Sequence, residues 1–126
     1  MDPTVSNVIL LSGRPASGKT AMMIAYANIY PKSTMVLTQE NSKEQLLNRG
    51  LSKEIIVIDD IEIFKSVSIS KYETLCIDYI DLLDNEFIIK YIYPLINTKL
   101  RIIALQQMDR NGIVRKNIFN DYINDA

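Results

Sequence analysis

Residues 13 to 20 carry the most specific chemistry in the sequence. They read Gly13-Arg14-Pro15-Ala16-Ser17-Gly18-Lys19-Thr20, a full match to G-x-x-x-x-G-K-[ST]. Glycines at these positions let the chain wrap so that successive backbone N–H groups point inward at phosphate oxygens. A helix starting near Lys19 adds the positive end of its dipole. Lys19 is expected to reach the β- and γ-phosphates of a nucleotide, and the Thr20 hydroxyl to bind Mg²⁺. Gly13, Ser17, Gly18, Lys19 and Thr20 are therefore candidate binding residues for ATP or a close relative. Average composition would produce the pattern by accident roughly a few times in a thousand in a chain of this length. Its context, an apolar run before it and an apolar-faced helix after it, argues against accident.

Other residues able to act on a phosphate stand at the ends of apolar runs. Glu40, Asp59, Asp60, Asp78 and Gln107 all lie at or just beyond such ends. A carboxylate there can hold Mg²⁺ or its water shell, a second can orient a nucleophile, and an amide can read the terminal phosphate. The ordinary alternatives are a helix N-terminal acid for Glu40 and a solvated strand end for Asp59 and Asp60.

These residues need elements to bring them together. Five runs, Val8–Leu11, Thr34–Leu37, Ile55–Ile58, Thr74–Ile77 and Arg101–Leu105, are continuously apolar or nearly so. That pattern suits strands of a parallel sheet buried on both faces. Lys19 to Ile29 reads as a helix. A second opens at Ser42, with Gln45 three residues later as a capping box and Gly50 as its stop. Asp81 to Tyr93 reads as a third, ending at Pro94. Strands alternating with helices predict an α/β fold, a mainly parallel central sheet flanked by helices. In a sheet of that kind ligands sit at the C-terminal strand edge, where the candidate residues fall.

Composition narrows the function further. The 126 residues form one expected domain, residues 1–126, with no repeat or linker. A single cysteine, Cys76, rules out a disulfide framework. The absence of histidine excludes Ser-His-Asp catalysis and histidine-ligated metals. No apolar run reaches the roughly 18 residues of a membrane span, and the start, Met1-Asp2-Pro3, lacks signal-peptide character, so no membrane partner and a cytoplasmic location are expected. The net charge of −1 gives no general attraction to polyanions. Locally, Lys99, Arg101, Arg110, Arg115 and Lys116 face only one acid, Asp109, across their stretch. Asn111-Gly112 is a tight-turn signal within it. Arg110, Arg115 and Lys116 are candidates for contacting DNA phosphates or a neighbouring subunit's nucleotide; an ordinary surface hairpin is the alternative.

Several segments, taken in order, resemble DnaB-type hexameric replicative helicases, members of the RecA-like ATPases. Leu11 to Ala27 looks like the family's first motif. Val36 to Leu46 is similar to the next, a strand ending in a glutamate that activates water, which here is Glu40. Ile56-Val57-Ile58-Asp59-Asp60 resembles a strand ending in two aspartates. Thr74 to Leu83 resembles the Walker B segment with its Asp-Tyr signature, which favours Asp78 over Asp59 or Asp60 as the metal-side carboxylate. Ile103 to Arg110 looks like the strand ending in a γ-phosphate-sensing glutamine, which makes Gln107 the sensor. The resemblance covers roughly residues 8 to 110. It implies catalytic roles for Lys19, Glu40 and Gln107, and Mg²⁺ ligation by Thr20 and Asp78.

The same resemblance implies a RecA-like P-loop fold and ATP hydrolysis. Expected partners are single-stranded DNA, further copies in a ring or filament, and, as a further candidate, a replication protein. Departures from the family point to a truncated, minimal form. The sequence enters almost at the first strand, has only Asn111 to Ala126 after the glutamine strand, and is short between Asp60 and Thr74. A rival reading is a nucleotide-binding module that loads or regulates a helicase without being a motor. A small-molecule kinase is a third; it needs a lid with several arginines, and outside the loop only Arg49, Arg101, Arg110 and Arg115 exist. Richness in Ile, Asn, Lys and Tyr, with the trimmed architecture, points to a phage, virus or plasmid source.

Overall fold

The computed structural model describes residues 7–14, 18–109, 111–113 and 119. Five strands are present: β1 (Val8–Gly13), β2 (Thr34–Thr38), β3 (Ile56–Ile58), β4 (Thr74–Asp78) and β5 (Arg101–Gln107). All pair in parallel, in the order β1-β5-β4-β2-β3. Each predicted apolar run became a strand, most extended by one or two residues towards the functional end. Helices α1 (Lys19–Ile29), α2 (Lys43–Asn48), α3 (Ile61–Phe64) and α4 (Asn85–Phe87) fill the connections. The chain is thus α/β, with helices flanking an all-parallel sheet.

Alternation along the strands sorts side chains onto two faces. Val36, Cys76, Ile103 and Leu105 pack with Met23, Ile24 and Ala27 of α1 and Leu46 of α2. Met35, Leu37, Leu75, Ile77, Ile102 and Ala104 pack on the other face with Phe64 of α3, Phe87 of α4 and Ile88, Ile92 and Phe119. Both faces are covered, which explains why β2 and β4 are buried at every position. The connection after β2 therefore leaves towards one face and the connection after β4 towards the other. Such a reversal between neighbouring strands opens a crevice at their C-terminal ends.

Local chemistry sets the helix boundaries. Ser42 accepts the Gln45 N–H at 3.2 Å, and the Gln45 side chain accepts the Ser42 N–H at 2.7 Å, the predicted capping box. At the other end of α2, Leu51 N donates to Leu46 O and Gly50 N to Leu47 O, a closure that needs the left-handed Gly50, φ 106°.

The helix predicted from Asp81 to Tyr93 differs in the structure. Ile80–Leu82 forms a 3-10 turn, Leu83 is extended, and Asp84 caps the N-terminus of α4 by accepting the Phe87 N–H at 2.9 Å. The helix begins four residues later than expected, at Asn85, because the Asp81 carboxylate accepts the Gln107 N–H and Asp84 is the aspartate that caps. A π turn, Ile88–Ile92, follows α4, and Pro94 sits inside a final 3-10 turn, Tyr93–Leu95, where its missing N–H is harmless.

Two outcomes follow from this core. Leu75, fully buried between sheet and helices, loses about 2–5 kcal/mol on Leu75→Ala in urea unfolding. Burial pushes the Cys76 thiol up to about 12, so a thiol reagent at pH 8 labels it only after unfolding; rapid labelling of the native protein would contradict the buried placement.

Candidate functional site

The C-terminal edge of the sheet gathers most of the predicted residues. Strand register sets Gly13 opposite Gln107, across β1 and β5, and Thr38 opposite Asp78, across β2 and β4. Gly13 O also accepts the Met108 N–H at 2.9 Å, which fixes the start of the loop against the end of β5. Gly18 caps α1 with φ 90°, a left-handed conformation that side chains other than glycine rarely tolerate. An added Cβ there would meet nothing within 4 Å, so the backbone conformation and open space ahead of it are the constraint. Lys19 and Thr20 are the first two residues of α1, and both are buried.

Lys19 lies at the centre of the charge pattern. Its Nζ donates to the Arg14 carbonyl at 3.0 Å and stands 5.4 Å over the Tyr79 ring. Burial lowers the Lys19 pKa, while the negative fields of Asp81, Glu40 and Asp78 act to raise it. The ammonium therefore lies within the fields of three carboxylates. Glu40, Tyr79, Asp81, Leu82 and Gln107 line an open cleft of about 260 Å³ beside it. Glu40 is exposed, two residues past the end of β2. Gln107 donates its backbone N–H to Asp81 Oδ1 at 3.2 Å, which ties the end of β5 to the turn after β4.

Asp78 is almost fully buried, 1% exposed. Its Oδ2 accepts from Asn41 Nδ2 at 2.7 Å and lies 2.8 Å from Thr38 Oγ1. Its Oδ1 has no hydrogen-bond partner among the described residues. Loss of hydration raises the Asp78 pKa, opposed by the bonds from Asn41 and Thr38 and by the charge of Arg49. Tyr79, next in the chain, is the only non-glycine residue with positive φ, 66°, among those described. Strained backbone of this kind is held only when its surroundings over-determine it. Here the Tyr79 hydroxyl meets the Thr20 side chain and its ring underlies Lys19.

Asp59 and Asp60 have a different setting. Both are exposed at the end of β3, the edge strand farthest from β1. Asp60 caps α3, accepting the Glu62 N–H at 2.9 Å. The Asn111-Gly112 turn is closed by Asp109, which exchanges backbone bonds with Gly112 and Ile113 and accepts the N–H groups of Asn111 and Ile113 on Oδ1. Gly112 packs against the Arg14 guanidinium, so this turn sits beside the phosphate loop. Ser17, Arg110, Arg115 and Lys116 lie outside the described residues.

Sequence reasoning missed Asp81, Tyr79, Thr38 and Asn41 as site residues. In the sequence Asp81 reads as part of a helix and Tyr79 only as half of an Asp-Tyr signature; strand register brings out Thr38, and the bond to Asp78 brings out Asn41. A larger cavity of about 860 Å³ opens at the opposite edge of the sheet, among Tyr30, Tyr72, Glu73, Leu100 and Arg101. None of the predicted site residues that the structure describes lines it.

The residues present fit a divalent cation shared with a phosphate. No group of three or more His, Cys, Asp or Glu among the described residues is arranged to hold a metal unaided. Mg²⁺ characteristically takes one or two carboxylates and completes its shell with phosphate and water. The orphaned Asp78 Oδ1 and the Thr20 hydroxyl match that donor set. No helix among the described residues is long and apolar enough to cross a membrane. Comparison with protein-family models and with curated proteins gives no match for this chain.

Two substitutions separate the aspartates. Asp60→Ala costs about 1 kcal/mol in urea unfolding through the lost cap. Asp78→Asn, though far more buried, changes stability by less than about 1 kcal/mol, because removing a desolvated charge offsets the weakening of its hydrogen bonds. A loss of several kcal/mol at Asp78 would mark it as a structural group.

Proposed function

We propose that the chain binds and hydrolyses ATP as a minimal RecA-like P-loop ATPase, related to DnaB-type replicative helicases and acting on single-stranded DNA as an oligomer. The observation that carries this reading is the Lys19 ammonium at the mouth of the phosphate loop, facing Glu40, Asp78 and Asp81 beside a cleft that Gln107 also lines.

Electrostatics supports the choice of a metal-bound nucleotide. A bare triphosphate would meet three carboxylates, and the Lys19 charge alone does not balance them. Mg²⁺, held by Thr20 and Asp78 Oδ1, would neutralise phosphate charge and draw electrons from the reacting phosphorus. Lys19 would exchange its contact with the Arg14 carbonyl for the β- and γ-phosphates. Loop N–H groups and the N-terminus of α1 would hold the remaining oxygens. Glu40, exposed at the rim of the cleft, would orient a water molecule and take its proton. The water oxygen then bonds to the γ-phosphorus as the bond to the bridging oxygen breaks, releasing ADP and phosphate. Gln107 would contact the γ-phosphate.

The oligomeric part of the reading has a separate support. Met22, Tyr26, Ile29 and Tyr30 form an exposed apolar stripe on and just after α1, spaced as one helix face. A second copy of the chain is the occupant assigned to it. Arg110, Arg115 and Lys116, which lie outside the described residues, are the basic residues this reading proposes for contact with DNA phosphates or a neighbouring subunit's nucleotide.

The test is ATP hydrolysis by the wild type and by Lys19→Ala, with and without single-stranded DNA, over a range of protein concentrations. Turnover that DNA stimulates, that rises per molecule with concentration and that falls about 10²-fold or more in Lys19→Ala is expected. Tight ATP binding with no Lys19-dependent turnover in any condition would overturn the motor reading and favour the regulatory module.

A further inference from the structure

The two oxygens of the Asp78 carboxylate are in different states. Oδ2 has two neighbours, Asn41 Nδ2 at 2.7 Å and Thr38 Oγ1 at 2.8 Å. Oδ1 is buried without one among the described residues. The Thr38 hydroxyl has a single hydrogen, yet two acceptors lie within its reach. The second is the Asn41 carbonyl, at 2.6 Å. Thr38 Oγ1 also accepts the Asn41 N–H at 3.2 Å, an arrangement that favours the local turn. A hydrogen committed to that turn is lost to Asp78. The donor that always serves Oδ2 is therefore the Asn41 side-chain amide, whose Nδ2 makes no other hydrogen bond among the described residues.

Asn41 also stands next to Glu40 in the chain. One side-chain bond thus joins the turn after β2, which bears Glu40, to the end of β4, which bears Asp78. The terminal torsion of an aspartate is broad and roughly two-fold, so the carboxylate does not by itself choose which oxygen faces outward. A single amide anchored on Oδ2 makes that choice.

We propose that Asn41 is a positioning residue for the divalent cation, holding Asp78 Oδ2 so that Oδ1 is the oxygen presented to Mg²⁺ and holding the Glu40 turn in register with it. This rests on the Mg²⁺–nucleotide reading above. It assigns Asn41 no contact with the nucleotide. Partners that orient a metal-ligating carboxylate commonly cost 10- to 100-fold in metal affinity when removed, and about that loss is expected here.

The experiment measures binding of a fluorescent ATP analogue to the full chain in EDTA and then across a Mg²⁺ titration, without reference to turnover. It compares wild type, Asn41→Leu, Asp78→Asn and the double variant. Asn41→Leu keeps the metal-free affinity, which shows that it is folded, and needs about 10- to 100-fold more Mg²⁺ to reach half its gain. In the Asp78→Asn background Asn41→Leu adds little, since the group it orients is already altered. Thr38→Ser, which retains the hydroxyl, stays close to wild type.

An Asn41→Leu protein with the wild-type Mg²⁺ dependence overturns the proposal and leaves the nucleotide site standing. Full additivity of the two substitutions also overturns it, by reducing Asn41 to a structural role. If Asn41→Leu loses metal-free binding as well, Asn41→Ala is scored by the same two criteria. A wild type that binds the analogue with no Mg²⁺ dependence defeats the Mg²⁺–nucleotide reading itself, and this proposal with it.

Discussion

Asp78 is 1% exposed at the end of a central strand, and a carboxylate without water around it is costly to keep charged. Its neighbours answer part of that cost: Asn41 donates a hydrogen bond to one oxygen, Thr38 Oγ1 lies within reach of the same oxygen, and the charge of Arg49 adds a favourable field. The other oxygen has no hydrogen-bond partner among the described residues. Much of the surrounding architecture bears on that imbalance. The connections after β4 and β2 leave towards opposite faces of the sheet, and the carboxylate lies between them at the strand ends. The turn after β2 folds back through Thr38 and Asn41 to meet it, and the phosphate loop begins two strands away with a buried cation. A half-satisfied charge beside a buried lysine makes sense where a further charged ligand is to arrive. Stability alone would favour an apolar residue at such a position.

Much of the fold was legible because its signals were local. Five unbroken apolar runs became five strands, and Ser42 with Gln45 marked the start of α2 to the residue. The G-x-x-x-x-G-K-[ST] pattern is local in the same sense, since eight consecutive residues carry it, and its Lys19 opens α1 as expected. The third helix was misjudged because Asp81 and Asp84 are equally plausible caps in one dimension. Only the structure shows that Asp81 is engaged by the Gln107 backbone, which leaves Asp84 to cap. The partners of Asp78 were invisible for a related reason. Asn41 and Asp78 are brought together by the pairing of β2 with β4, and nothing in either segment announces the other. The positive φ of Tyr79 likewise has no sequence signature, because residue type predicts that conformation only for glycine and, weakly, asparagine or aspartate.

The charge distribution explains why a net charge near zero said little about the site. The buried Lys19 lies within the fields of Glu40, Asp78 and Asp81, and Glu40 and Asp81 line the cleft beside it, so local fields of both signs coexist within one small volume. A ligand suited to it must itself carry both signs, as a polyphosphate bound to a divalent cation does. In the proposed reading each half of the site recognises one half of that ligand.

The placement of β1 has a consequence for motion. Among the described residues β1 pairs with β5 alone, and no position along it is fully buried, whereas β4 is buried throughout. The segment from Gly13 to Thr20 thus joins an edge strand of the sheet to a helix packed on its fully buried centre. Amide exchange should grade accordingly, faster in β1 than in β4. A ligand gripping the loop would draw the outer strand towards the rigidity of the centre, and part of its binding free energy would be spent as lost backbone entropy.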